Sequence, residues 1–398
     1  MRRGLGISSP FADAGNRKHA LIVAGEASAD LHGANLVRAL RKLDAAIEFE
    51  GIGGTGMKAA GVRILIPSAD MAVVGLTEVF AKLPTIMRAR SRLTSILRHQ
   101  RPDLLILIDY PDFNIHLART AKRSEVPVLY YISPQVWAWR RGRIKKIAKR
   151  VDRMAVILPF EKDVYKNTSL RVDYVGHPLL DIAPPQLDRN TAVQEMGLAG
   201  GEPILGLLPG SRKEEIENLL PAMIGAAENL AERYPSVKCI LPRAATIAPD
   251  LIEPLIRDST ASITVSDGDI YRTLALCDMA LVASGTATLE TAIMGVPMVI
   301  AYRVSPVSYW FGKRVVKVPF ISLVNLVAGE EIVPELIQDE VRAERLASEA
   351  IDILENDAKR DAMKAKLAWV RDRLGRGGAS KRTARIALEM MTRREALR

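Results

Sequence analysis

Asp109 and Asp112 stand in the stretch Asp109-Tyr110-Pro111-Asp112-Phe113-Asn114, directly after the apolar run from Asp103 to Ile108. Such a run is the pattern of a central parallel strand buried on both faces. Both carboxylates therefore fall at the C-terminal end of that strand, the edge where open α/β sheets bind ligands. One of them can cap the helix expected over 115–123. Asp112 is better placed for the cap, which leaves Asp109 for chemistry. A second group of residues suits an anion. Met279 to Ala283 reads as a buried strand, Ser284-Gly285-Thr286 as a small-residue turn, and Thr288 to Met294 as a helix ended by Gly295-Val296-Pro297. The turn sets bare backbone N–H groups at a helix N-terminus, where phosphate is favoured. Glu290, one turn in, could accept hydrogen bonds from sugar hydroxyls. The same stretch also reads as an ordinary βαβ crossover, and by itself does not choose. A third group, Pro209-Gly210-Ser211-Arg212, follows the apolar run Ile204 to Leu208 and precedes a helix beginning near Glu214. An arginine there can fork onto a phosphate.

These residues need sheets to hold them. His19 to Ala24 reads as a strand, Gly25 to Asp30 as the loop after it, and Leu31 to Leu43 as a helix. That order commonly opens a doubly wound α/β domain. It lacks G-x-G-x-x-G, so a dinucleotide site is not indicated. Further strands are expected over 49–54, 126–132, 151–158, 238–242, 263–265 and 296–301, and 172–178 reads as a strand entering a turn. The stretch 181–190, rich in Pro and Asp, marks a boundary between two domains. The division expected is a flexible extension over 1–18, a Rossmann-like domain over 19–180 and a second over 181–340. Helices over 341–398 pack back on the first domain or are exchanged in a dimer. With 398 residues the chain has material for two cores.

Lys plus Arg exceed Asp plus Glu, 56 against 46, for a net charge of +10. That balance suits an anionic partner: nucleic acid, an acidic membrane surface or a phosphorylated substrate. The two cysteines, Cys239 and Cys277, lie in apolar strand-like contexts. They indicate neither a disulfide framework nor a metal cluster, and the expectation is a reducing cytoplasm. Asp267-Gly268-Asp269 has the form of a metal-binding D-x-D but reads as a turn. Arg2 and Arg3 are followed by no signal-like apolar segment, and no run approaches the length of a membrane span, so membrane association is expected to be peripheral. Two stretches could provide it. Met71 to Met87 carries large apolar residues, among them Val74, Leu76, Phe80 and Leu83, followed by Arg88, Arg90 and Arg92. It reads as a buried helix with a solvated tail, or as an interfacial segment. Trp137-Ala138-Trp139 precedes eight basic residues between Arg140 and Arg153. That run reads first as a solvated helix face, then as a headgroup site, and last as a nucleic-acid patch.

Taken together, the motifs resemble those of lipid-A-disaccharide synthase, an inverting glycosyltransferase family. The matching residues are Ala24-Gly25-Glu26 with Ser28 and Asp30, Asp109 to Asn114, Ser133-Pro134 with Val136 to Arg140, and Leu158-Pro159-Phe160-Glu161. They continue with Gly176-His177, Leu208 to Arg212, Ala283-Ser284-Gly285-Thr286-Ala287 with Leu289-Glu290, Pro297 to Val299 with Tyr302-Arg303, and Asn325-Leu326 with Ala328-Gly329. Ala29 departs from the glycine more usual in the family. The resemblance implies a GT-B fold, two Rossmann-like domains with mainly parallel sheets facing across a cleft. It implies a UDP-2,3-diacylglucosamine donor, a 2,3-diacylglucosamine 1-phosphate (lipid X) acceptor, and no cofactor or metal. It further implies a peripheral inner-membrane location and homodimers in some members. On this basis Asp109 is the general base and Arg212 stabilises the leaving UDP. Gly210, Ser211, Ser284, Gly285, Thr286, Ala287, Glu290 and Asn325 hold the donor. Gly25, Glu26, Ser28, Asp30, Ser133 and Trp137 form the acceptor side. Two other readings compete. A UDP-sugar epimerase of the same fold would need no lipid surface. A basic nucleic-acid-binding protein would not explain two strand–glycine loop–helix units, and nucleic acid is not expected as a partner.

Overall fold

A computed structural model describes residues 17–71, 76–183, 193–199, 202–268 and 270–395, with no side chains described for 76–81 and 395. The chain divides into two compact units. One comprises Met1–Ile157, Glu161–Pro178 and Gly378–Arg398; the other comprises Leu158–Phe160 and Leu179–Gly377.

The first unit is built on a seven-stranded sheet of β1 (His19–Ala24), β2 (Glu48–Gly53), β3 (Arg63–Pro67), β4 (Leu104–Ile108), β5 (Val128–Tyr131), β6 (Arg153–Val156) and β7 (Arg171–Tyr174). Their order across the sheet is β3-β2-β1-β4-β5-β6-β7, and every pairing is parallel. The second unit carries a six-stranded sheet of β8 (Ile204–Leu208), β9 (Lys238–Pro242), β10 (Ile263–Ser266), β11 (Met279–Ala283), β12 (Met298–Tyr302) and β13 (Glu335–Ile337), in the order β10-β9-β8-β11-β12-β13. It is likewise all parallel. Both orders reverse direction once, between β1 and β4 and between β8 and β11. Those are the switch points at which doubly wound sheets open a crevice beyond the carboxyl ends of their strands.

The central strands read as uninterrupted apolar runs because helices cover both faces. All five residues of β4, β8 and β11 are buried. The helix Ala27–Leu43 turns Ala29, Gly33, Ala34, Leu36, Val37 and Leu40 inward, at helical spacing. The last described helix, Ala379–Glu395, packs against it within the first unit, while Ala343–Glu355 and Asp357–Arg373 belong to the second.

The helix after β1 begins at Ala27, four residues before the expected start at Leu31. Asp30 is the reason. Its carboxylate accepts the amides of Gly54 (2.5 Å), Gly56 (2.9 Å) and Met57 (3.1 Å), which ties the first helical turn to the turn after β2. That partner lies 24 residues away in sequence, so local propensity cannot announce it.

Candidate active site

The register pairs Ala24 of β1 with Ile108 of β4. The residues that follow, Gly25-Glu26 and Asp109-Tyr110, thus leave the sheet side by side at the first switch point. Asp109 and Tyr110 both take left-handed backbone conformations, with φ of 44° and 46°. Two consecutive non-glycine residues in that region persist only where the surroundings over-determine them. Here the Asp109 carbonyl accepts from Asn114 Nδ2 at 2.7 Å and from the Tyr130 hydroxyl. The Tyr110 hydroxyl donates to the Met71 carbonyl at 3.1 Å, and its ring stands 5.7 Å from that of Phe113.

The Asp109 carboxyl is thereby held where it is poorly solvated. Burial pushes its pKa from 3.8 up to about 6; the negative charge of Glu26 pushes the same way, and a backbone hydrogen bond from Tyr110 opposes both. A carboxylate with that pKa is ionised at neutral pH yet basic enough to take a proton from a hydroxyl.

Asp112 is not the helix cap expected. Tyr110 occupies the cap position and makes no side-chain cap hydrogen bond. Asp112 lies in the first turn, faces solvent, and pairs with Arg140 (3.3 Å) and Arg143. The basic run is likewise not one solvated face. Arg141 donates to the Trp137 carbonyl at 3.2 Å and Arg150 to that of Ile115 at 3.0 Å. Arg153 is buried in β6 against Asp173 (2.6 Å) and Glu389 (2.5 Å).

Ser133 and Trp137, expected on the acceptor side, are buried. Ser133 Oγ and the Tyr165 hydroxyl lie 2.8 Å apart. Trp137 Nε1 donates to Glu161 Oε1 at 3.3 Å, and Glu161 Oε2 accepts from the Ile157 amide at 3.2 Å. Glu26 and Ser28 are exposed beside Asp109's strand end, whereas Asp30 is committed to the amides named above.

In the second unit Leu208 of β8 pairs with Val282 of β11, so the loops Pro209–Arg212 and Ser284–Ala287 also emerge together. They differ in what covers their helix N-termini. Glu215 folds back on the first: its Oε2 accepts the amides of Ser211 (2.8 Å) and Arg212 (3.1 Å). Gly210 has φ 114°, and a Cβ there would lie 2.2 Å from Glu215 Oε2. The Arg212 guanidinium sits 3.4 Å from Glu215 Oε1 but is 64% exposed, so that pair is weak and the arginine can turn to a ligand. The second loop has no such carboxylate. Gly285 precedes the helix Thr286–Met294 without a side-chain cap. Its backbone is extended, and nothing lies within 4 Å of where its Cβ would be. The fold does not require a glycine there. The space beside it lies at a helix N-terminus whose cap residue has no side chain, an arrangement that suits an anion. Ser284 Oγ donates to the Ile321 carbonyl at 3.2 Å, Thr288 Oγ1 to that of Gly285 at 2.8 Å, and Glu290 is half-buried a turn further on.

Asn325 does not join them. It is fully buried: Nδ2 donates to Val333 O (2.9 Å) and Glu335 Oε1 (2.8 Å), and Oδ1 accepts the amides of Ile332 (2.9 Å) and Val333 (3.2 Å). Its side chain braces the turn before β13 and has no capacity left for a donor. Sequence reasoning missed Tyr110, Tyr130, Glu161 and Glu215 as supports. Each lies in or beside a quoted motif, but nothing local marks a side chain that turns inward.

Among the described residues no group of His, Cys, Asp and Glu is placed to hold a metal ion. Asp267 pairs with Arg243 at 2.6 Å; Asp269 lies outside the described residues. Cys239 and Cys277 are buried thiols. Val74 also lies outside the described residues. Leu76 and Phe80 fall on the helix Leu76–His99 in the part whose side chains are not described. Further along that helix Leu83 (45%) and Met87 (63%) are exposed on one face, next to exposed Arg88, while Ala89, Leu93, Ile96 and Leu97 are buried. No helix among the described residues is long and apolar enough to cross a membrane.

The family model described as Lipid-A-disaccharide synthetase matches residues 20–389. A lipid-A-disaccharide synthase of Geobacter sulfurreducens is 50% identical over 371 residues, covering 93% of this chain and 97% of its own. One from Coxiella burnetii is 41% identical over 371 residues, covering 93% and 98%. Among solved structures, a UDP-GlcNAc 2-epimerase of Neisseria meningitidis bound to UDP-GlcNAc superimposes with a TM-score of 0.65 at 13% identity, covering 93% of this chain and 100% of its own. A calicheamicin glycosyltransferase does so with 0.61 at 15%, covering 95% and 99%. At such identities the structures show a shared GT-B fold of two Rossmann-like domains and do not separate transferase from epimerase. The sequence relatives do separate them, and they support neither the epimerase nor the nucleic-acid reading. The chain belongs to the lipid-A-disaccharide synthase family, glycosyltransferases of lipid A biosynthesis.

Proposed function

We propose that the chain transfers the sugar of UDP-2,3-diacylglucosamine to 2,3-diacylglucosamine 1-phosphate (lipid X), giving the β-1,6-linked disaccharide 1-phosphate and UDP. The observation that carries the mechanism is the Asp109 carboxyl, ionised at neutral pH but raised to about 6 by burial and by Glu26, at the switch point of the first sheet. Asp109 takes the proton of the acceptor 6-hydroxyl. That oxygen bonds to C1 of the donor sugar as the bond from C1 to the phosphate oxygen breaks, with inversion. The electron pair leaves with UDP. The negative charge that develops on the diphosphate is met by the amides of Thr286 and Ala287 and by Arg212. Gly210, Ser211 and Ser284 shape the donor loops, and Glu290 accepts from the ribose hydroxyls. A general base of this kind contributes roughly 10²–10⁴ in rate.

The donor's and acceptor's acyl chains call for a lipid surface. Leu83 and Met87, with Arg88 beside them, suit the anionic leaflet of the inner membrane, with the enzyme peripheral on its cytoplasmic face. In a homodimer, exchange of Ala379–Glu395 would keep its contacts with Ala27–Leu43 in trans.

Thin-layer chromatography of product from the two diacylglucosamine substrates tests the reaction. A disaccharide 1-phosphate that appears only with both substrates supports it. Conversion of UDP-GlcNAc to its 2-epimer without acceptor, and no disaccharide, overturns it.

A further inference from the structure

The helix Pro306–Val315 buries none of its residues. Val307 (78%), Trp310 (60%) and Phe311 (61%) are exposed at the spacing that shares one helical face. The helix is nonetheless well specified. Ser305 caps it by accepting from the Ser308 amide at 3.3 Å, and Pro306 occupies its first turn. An isolated helix of this length is marginal in water, so an outward apolar face on it needs a partner. The flanking sequence carries charge of one sign. Lys313, Arg314 and Lys317 are exposed, and the sequence contains no Asp or Glu between Glu290 and Glu330. The Arg314 guanidinium lies over the Trp310 ring, 3.5 Å from its centroid, and donates to the Trp310 carbonyl at 3.2 Å. The position of the helix matters as well. It follows β12 at the carboxyl edge of the sheet, where Ala301 pairs with Ala283, the residue before the Ser284–Ala287 loop.

We propose that this helix is a membrane contact of the second unit: Val307, Trp310 and Phe311 enter the acyl boundary while Lys313, Arg314 and Lys317 engage anionic phospholipid headgroups. Aromatic side chains flanked by bases are the composition of an in-plane interfacial helix. A second copy of the chain is the poorer occupant. A two-fold contact would bring two sets of Lys313, Arg314 and Lys317 into one interface with no carboxylate in the flanking sequence to offset them, and unbalanced like charge opposes association. The inference rests on the reading that the donor is a lipid. A nucleotide sugar bound at the Ser284–Ala287 loop would then have its acyl chains at the sheet edge from which this helix extends.

The test is flotation of the full chain with vesicles of phosphatidylglycerol and phosphatidylcholine, or of phosphatidylcholine alone. The wild type is expected to float with the anionic vesicles and far less with the neutral ones. Trp310→Ser with Phe311→Ser should lower binding by at least about a hundredfold, and Lys313→Gln with Lys317→Gln should weaken it and flatten its salt dependence. Trp310→Phe should retain it. Turnover of detergent-dispersed substrates should not change in any of these. Flotation unaltered in both double variants overturns the proposal. So does a dimer that becomes a monomer in the serine variant with flotation intact, which would make the face an interface between copies. If the serine variant does not fold, the lysine pair decides. A wild type that floats with neither vesicle removes every membrane contact claimed here. A wild type that floats but makes no disaccharide retains this helix's role and refutes the reaction instead.

Discussion

The Tyr110 ring lies so close to the backbone of Gly25 that a Cβ on Gly25 would stand 2.6 Å from it. The contact joins the loop after β1 to the strained turn after β4, and so fixes where Asp109 stands relative to Glu26. Gly25→Ala must displace the ring, and with it the residue beside it. The expected result is a loss of about 1–3 kcal/mol in stability from overpacking and a fall in kcat of more than about tenfold, with UDP affinity unchanged. Gly25→Ala should lower the melting temperature less in a Tyr110→Ala background than in the wild type, because the clashing ring is then absent. Thermal melts and steady-state kinetics on these variants check this; full activity in Gly25→Ala would show that the contact does not position the base.

Asp109→Asn separates the catalytic role from a structural one. Turnover should drop by roughly 10²–10⁴, while UDP binds as before. Stability should move the other way. The folded pKa is raised from 3.8 to about 6, so the ionised carboxylate costs stability, and that cost sets in as pH rises from about 4 through about 6. Asn removes it. The variant should therefore be more stable than wild type at pH 8, by up to about 3 kcal/mol, and equal to it near pH 4. Asp112→Asn should lose little activity, because Asp112 is exposed and pairs with Arg140 and Arg143 on the surface. Denaturant titrations at the two pH values decide; lower stability of Asp109→Asn at pH 8 would contradict the burial argument.

The pH profile carries the same signature. kcat/KM should fall as pH drops below about 6, where Asp109 takes up a proton. Glu26→Gln removes the second cause of the raised pKa and leaves burial, the first. The acid limb should shift to lower pH, by less than about one unit. A limb that stays in place would mean that Glu26 does not act on the base.

The donor loops give contrasting variants. Gly285→Leu has open space and an extended backbone, so stability should stay within about 0.5 kcal/mol. UDP affinity by calorimetry should fall at least about tenfold, because the side chain would occupy the phosphate's place. Arg212→Ala should weaken UDP binding and turnover together, as expected of a contact made in both ground and transition states. Unchanged affinity in Gly285→Leu would move the phosphate to the other loop, where it would have to displace Glu215.

Leu83→Ser with Met87→Ser tests the helix Leu76–His99 as a membrane face. Both residues are exposed, so the fold should hold. Recovery in the membrane fraction should fall, since each apolar side chain withdrawn from water contributes roughly 1.5–3 kcal/mol. Unchanged fractionation would make the exposed pair incidental.

Much of the site could be read without coordinates, and particular residues show why. The runs Leu104–Ile108, Ile204–Leu208 and Met279–Ala283 identify themselves as central strands, because only a doubly covered sheet buries every consecutive side chain. The small residues after β8 and β11 identify tight turns into helices. Asp109 stood out as a carboxylate with no cap to make, although the reason first assigned, that Asp112 caps the helix, does not hold. Polar residues within motifs were harder. Asp30, Ser133, Trp137 and Asn325 sit among residues suited to ligands, and the structure turns each one inward to a partner supplied by the fold.

By itself, the sequence determined the two parallel sheets, the loops that end their strands and the family, because these follow from local periodicity and from the order of motifs along the chain. The tertiary structure decided what each polar side chain does. Whether an Asp, Ser or Asn in a loop faces ligand or core depends on donors brought close by folding, such as the amides of Gly54 to Met57 for Asp30 and Glu335 for Asn325. The strength of the base was decided there too. A carboxyl's pKa is set by how much water and which charges surround it, and only burial at the end of β4 and the charge of Glu26 brought beside it place Asp109 near 6.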